Sequence, residues 1–146
     1  MNTLKDIFVS YEIAEKLKEI GFDQECLFYY SYPEKIHCLT HNKTEQTSVL
    51  DIEEIWAHNT NESEEPFCSA PTYEQVFKWF REKRLFSIVY MTENKNGYEI
   101  EIEYENKHIC INLFNETYKQ AREQLILKLI EIYKNERIKN RSTTRV

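Results

Sequence analysis

In "YEIEIEYE", residues 98–105, a glutamate stands at every second position: Glu99, Glu101, Glu103 and Glu105. A β-strand places such residues on one face, about 7 Å apart. Carboxylates in a row can hold a metal or divide into an acid and a base. His108 and Cys110 follow, and a hairpin turn at Asn106-Lys107 sets them outward, opposite Glu105 and Glu103. His, Cys and Glu together are a zinc-ligand set, and His37, Cys38 and His41 raise the same chemistry. His-x-Cys without a paired C-x-x-C falls short of a zinc framework. The Glu row therefore reads as a solvated outer face whose charges keep the sheet from stacking, and no metal site is expected.

Other chemistries are excluded more firmly. Only Gly21 and Gly97 occur, whereas phosphate loops and dinucleotide fingerprints need several glycines. No strand-to-helix elbow carries a nucleophilic Ser or Cys. The four cysteines, Cys26, Cys38, Cys68 and Cys110, are scattered and read as small core residues. No catalytic residue and no cofactor is expected, and the reading leans away from an enzyme. A convergent pocket of perturbed carboxylates would reverse that.

Cations offer a further candidate site. Lys119 and Arg122 fall in the first turn of a final helix, where free N–H groups and the helix dipole favour phosphate. Lys78, Arg81 and Arg84 lie on the outward side of the preceding helix, and Lys95 marks a hairpin loop. Converging, these six would bind RNA or DNA with an affinity that falls steeply with salt. The net charge of -6 opposes this. Residues 1–71 carry 5 Lys and 14 acids, and residues 72–146 carry 14 Lys and Arg against 11 Glu, so the halves stand at -9 and +3. No duplex binding is expected at physiological salt.

The elements that must position these residues follow from periodicity and caps. Ser10 caps a helix to Ile20 with Ile13, Leu17 and Ile20 on one face; Gly21 suits its C′ position, and Phe22 reaches back to Leu17. Leu4, Ile7, Phe8 and Tyr11 lie on the opposite face, as a separate short turn or the start of a helix buried on both sides. "CLFYYSYPEKIHCLT" reads as two strands about a Pro33-Glu34 turn, a hairpin over 26–40. Residues 41–70 form an acidic excursion with seven acids and one Lys. There Val49, Leu50, Ile52, Ile55 and Trp56 suit an amphipathic turn, and "HNTNESEEP" a solvated loop.

Thr72 with Gln75, and Thr117 with Gln120, are capping boxes opening two more helices. Tyr73, Val76, Phe77, Trp79 and Phe80 form the core stripe of the first. Tyr118, Ala121, Leu125, Ile126, Leu129, Ile132 and Tyr133 form that of the second. Between them lie three strands. "NKNG" with Gly97 left-handed sets Tyr90 against Ile102 and Ile88 against Tyr104. The Asn106-Lys107 turn sets Tyr104 against Ile109 and Ile102 against Ile111.

The expectation is one α+β domain over 1–136 in αββ-αβββα order, with a basic flexible tail at 137–146. Its antiparallel sheet is a three-strand meander plus the N-terminal hairpin, five strands in all, with helices on one face. The one early apolar run, Ile7-Phe8-Val9, is too short for a signal or a span, so the expected compartment is the cytoplasm, with reduced cysteines and no membrane association.

The αβββα order resembles a double-stranded RNA-binding domain, and "KQAR" partly matches the basic start of its last helix. The "NKNG" loop lacks that family's Pro-His element, and the doubled Lys is reduced to Tyr118-Lys119. A broader resemblance rests on "YEIAEKLKEIGFDQECLFYY", "APTYEQVFKWFREKRL" and "TYKQAREQLILKLIEI". These look like a group of short uncharacterised proteins of gut-bacterial genomes, prophages and mobile elements. The resemblance implies an accessory role and brings no activity or catalytic residue. The expected function is a non-enzymatic protein-interaction or structural accessory protein. Its partner would be a second copy or another protein. The alternative is a nucleic-acid-binding module.

Overall fold

The computed structural model describes residues 4–32, 35–38, 59–62 and 67–143. It is an α+β structure with two antiparallel three-stranded sheets. The chain divides into two compact units, one formed by residues 7–72 and the other by residues 1–6 with 73–146. No helix among the described residues is long and apolar enough to cross a membrane.

In the first unit, α1 spans Tyr11–Glu19. The Ser10 hydroxyl accepts from the Ile13 N–H at 3.3 Å, satisfying a donor that the first turn leaves free. Ile13, Leu17 and Ile20 are buried as their spacing requires. Gly21 ends the helix at φ 88°, and the Phe22 N–H reaches back to the Leu17 carbonyl at 2.9 Å. This is the Schellman closure that the sequence signals. Leu4–Ile7, whose residues 4–6 belong to the other unit, forms a separate 3-10 turn before α1 in sequence.

Strands β1 (Phe28–Tyr32) and β2 (Lys35–Cys38) pair as the expected hairpin. The third strand of this sheet is β3, Cys68–Ser69. β1 is thus central, and among the described residues the hairpin and the meander belong to two separate sheets rather than the expected five-stranded union. The stretch expected as a solvated loop contains a buried polar clamp. Asn59 and Thr60 are buried, and Thr60–Glu62 is a 3-10 turn. The Asn61 amide donates to the Phe22 carbonyl and accepts from the Ser69 N–H, both at 2.9 Å. The proposed amphipathic turn at Val49–Trp56 lies outside the described residues.

In the second unit, α2 (Tyr73–Glu82) buries Tyr73, Val76, Trp79 and Phe80, with Phe77 half-buried. Strands β4 (Phe86–Met91), β5 (Tyr98–Tyr104) and β6 (Lys107–Asn115) form the expected meander in the order β4-β5-β6. Helix α3 covers Tyr118–Thr143. Its capping box is complete: the Gln120 N–H donates to the Thr117 hydroxyl at 3.1 Å, and the Thr117 N–H to the Gln120 side chain at 3.2 Å. Tyr73 donates to Glu123, and Trp79 packs on Tyr133 at 5.2 Å, so α2 and α3 run in the same direction.

Three expectations about this unit are corrected. Helix α3 continues through the supposed flexible tail to Thr143. No Gly or Pro interrupts that stretch, and a Glu136–Lys139 pair supports it. Tyr118 belongs to the exposed first turn rather than the core, its ring lying 5.6 Å from that of Tyr98. The strand registers also differ. Val89 pairs with Ile100 and Ser87 with Ile102, leaving Ile88 opposite Glu101 and Tyr90 opposite Glu99. The left-handed residue of the loop is Lys95 at φ 54°, not Gly97. Strand β4, "FSIVYM", is apolar on both faces, so no alternation pins its register and the loop decides it. At the next turn Glu105 and Asn106 are the left-handed pair, at φ 48° and 61°, one position earlier than expected. In register, Ile102 then pairs with Ile109 and Ile100 with Ile111.

Candidate functional site

The register of β4 determines what the outer face of the meander displays. Residues directly opposite one another share a face. Phe86, Ile88 and Tyr90 therefore stand beside Glu103, Glu101 and Glu99, not over the core. Phe86 is 49% exposed and Ile88 56% exposed. His108 sits opposite Glu103 and Cys110 opposite Glu101, and the His108 ring contacts the Glu101 carboxylate. Phe86, Ile88, Glu101, Glu103 and His108 line a shallow cavity of about 250 Å³.

Among the described residues, no group of three His, Cys, Asp or Glu side chains is placed to hold a metal. The side chains of His37, Cys38 and Cys110, and all of His41, lie outside the described residues. Cys26 and Cys68 are free and buried. Burial pushes their thiols up to about 12 and about 11. Both are neutral near pH 7, the opposite of an activated nucleophile. Tyr30 is likewise pushed up to about 12, by burial first, and its hydroxyl donates to the Val9 carbonyl at 2.5 Å.

The six candidate nucleic-acid contacts occupy different settings. Lys78 pairs with Glu82 along α2, and Arg81 with Glu74 at 2.5 Å. Lys119 meets Asp6 at 3.3 Å. The Arg122 guanidinium lies 3.9 Å from the Tyr73 ring and 4.7 Å from the Tyr118 ring, and donates to the Asp6 carbonyl. Lys95 is exposed in the β4–β5 loop. Arg84, just beyond α2, lines a cavity. That cavity, of about 240 Å³, also includes Leu85, Tyr104, Tyr133, Glu136 and Arg137.

Sequence reasoning missed both the exposed β4 row and this cavity. A six-residue apolar strand without a charge was a signal for the first. The apolar pair Phe80 and Leu85, spaced to close a helix end, was a signal for the second. No protein-family model, curated protein or solved structure matches the chain.

Proposed function

We propose that this chain is a non-enzymatic protein-interaction module that works through β4, and that its occupant is a second copy of the same strand. The observation that carries the reading is the character of β4. Among the described residues it is an edge strand, it contains no charge, Gly or Pro, and it exposes Phe86 and Ile88. Edge strands are ordinarily protected by charges, prolines or bulges, because their unpaired N–H and C=O groups template another strand. Two copies of "FSIVYM" can pair antiparallel about a two-fold axis with no like charges opposed. The pairing would join two meanders into one sheet and merge their Phe86 and Ile88 rows.

The nucleic-acid alternative draws less support, because Lys78, Arg81 and Lys119 each have a carboxylate partner and Arg122 is stacked between tyrosines. The test is sedimentation velocity over a concentration series. A reversible dimer is expected, and Ile88→Lys, which places two ammonium groups across the two-fold, should make it monomeric. A wild-type chain that stays monomeric throughout would overturn the reading.

A further inference from the structure

We propose that the cavity at the C-terminal end of α2 is a binding site for a small anion carried on an aromatic body. Leu85, Tyr104 and Tyr133 line it together with the cations Lys83, Arg84 and Arg137, and the Lys107 ammonium lies over the Tyr104 ring at 5.5 Å. Flat apolar walls suit an aromatic ring. A guanidinium suits a carboxylate or phosphate, which it can grip with two parallel N–H donors. At about 240 Å³ the space fits one substituted ring rather than a larger ligand.

The other charges of the cavity are accounted for. Glu136 accepts from the Tyr104 hydroxyl and pairs with Lys139 at 3.2 Å, and the first of these interactions chiefly holds its carboxyl below the usual range. The same bond raises the Tyr104 phenol, which stays a neutral donor. The Lys83 ammonium sits over the Trp79 ring at 5.2 Å, and Arg137 over Tyr133 at 5.7 Å. Glu105 is exposed in the β5–β6 turn and also lines the cavity. The Arg84 guanidinium has no carboxylate or ring partner among the described residues.

The backbone supplies an independent observation. Helix α2 closes as α1 does. The Leu85 N–H donates to the Phe80 carbonyl at 2.9 Å, and the Arg84 N–H to the Arg81 carbonyl at 2.9 Å. In α1 the matching bonds come from Phe22 and Gly21. The left-handed position is Gly21 in one helix and Arg84, at φ 63°, in the other. Glycine is the more stable residue there, because a Cβ crowds the carbonyl in that conformation. A strained residue at the wall of a cavity is where a side chain with a binding role is expected.

The experiment is an NMR titration of the full chain with phenyl phosphate, benzoate and inorganic phosphate. Saturable shifts at Leu85, Tyr104 and Tyr133 are expected with one or both aryl anions, and the stronger of the two identifies the acid group. Inorganic phosphate alone should bind at least about tenfold more weakly, since the ring contact is lost. Arg84→Gly should weaken aryl-anion binding about tenfold, the loss of a charge-assisted bond, while raising the melting temperature. A loss of binding in a more stable variant cannot be ascribed to misfolding. Arg84→Ala, which keeps the strained backbone, should lose the same affinity. The proposal is overturned if neither aryl anion gives saturable shifts at these residues. Equal binding of inorganic phosphate, or unchanged affinity in both Arg84 variants, overturns it too.

Discussion

Replacing Asn61 tests how the first unit is held together. Its side chain makes two hydrogen bonds, donating to Phe22 O and accepting from Ser69 N, each at 2.9 Å. Ser69 is 1% exposed, so its N–H has no ready access to water once the Asn61 oxygen is gone. Each lost bond contributes about 1 kcal/mol, and a buried donor left without a partner costs about 1–3 kcal/mol. Asn61→Leu should therefore destabilise by roughly 2–4 kcal/mol. Asn61→Asp keeps an acceptor for Ser69 but turns a carboxylate oxygen toward the Phe22 carbonyl, so it should also be less stable than wild type. The assay is urea unfolding followed by circular dichroism and tyrosine fluorescence. A loss in Asn61→Leu below about 0.5 kcal/mol, the usual range for a surface substitution, would refute the clamp.

The two helix ends should respond with opposite signs: Gly21→Ala should destabilise by about 1 kcal/mol and Arg84→Gly should stabilise by a similar amount, read from urea midpoints. Thr117→Ala removes half of a reciprocal cap and should cost about 1 kcal/mol, with helical ellipticity lost from α3 rather than from the whole chain. Cys26 and Tyr30 have pKa values raised by burial to about 12, from 9.0 and 10.0. Above the lower values the unfolded chain loses protons that the folded chain keeps, so their stabilisation is complete below pH 9 and is lost as pH rises toward 12. Urea midpoints should fall above about pH 9, less steeply in Cys26→Ala; a flat profile would contradict the burial of these groups.

How much was legible in the sequence depended on how strongly each pattern constrained the chain. Ser10, Gly21 and Phe22 marked both ends of α1 because a cap, a left-handed glycine and an apolar clasp are local chemistry. Thr117 and Gln120 did the same for the start of α3. The strict alternation of Tyr98 to Glu105 assigned the faces of β5. By contrast, "FSIVYM" fits either face inward, and its register depended on a loop whose left-handed residue is Lys95 rather than the glycine. That one slip moved Ile88 and Tyr90 off the expected apolar face, so the candidate interaction face was not legible. Asn61 was read as solvated because asparagines in polar stretches usually are; its partners, Phe22 and Ser69, are supplied by tertiary structure. Lys78, Arg81, Lys119 and Arg122 lie on helices as expected, whereas Arg84 falls just beyond α2; pairing with Glu74, Glu82 and Asp6 depends on side-chain geometry that spacing only partly determines.

The most direct test of the central claim is amide hydrogen exchange of β4 as a function of protein concentration. Alternate β4 amides face away from β5 and are open in a lone copy, whereas pairing through this edge gives each a carbonyl acceptor. The account predicts that these amides, and not those of the helices, become more protected as concentration rises, and that Ile88→Lys abolishes the change. Exchange of β4 that is independent of concentration, or added protection confined to a different surface, would contradict it.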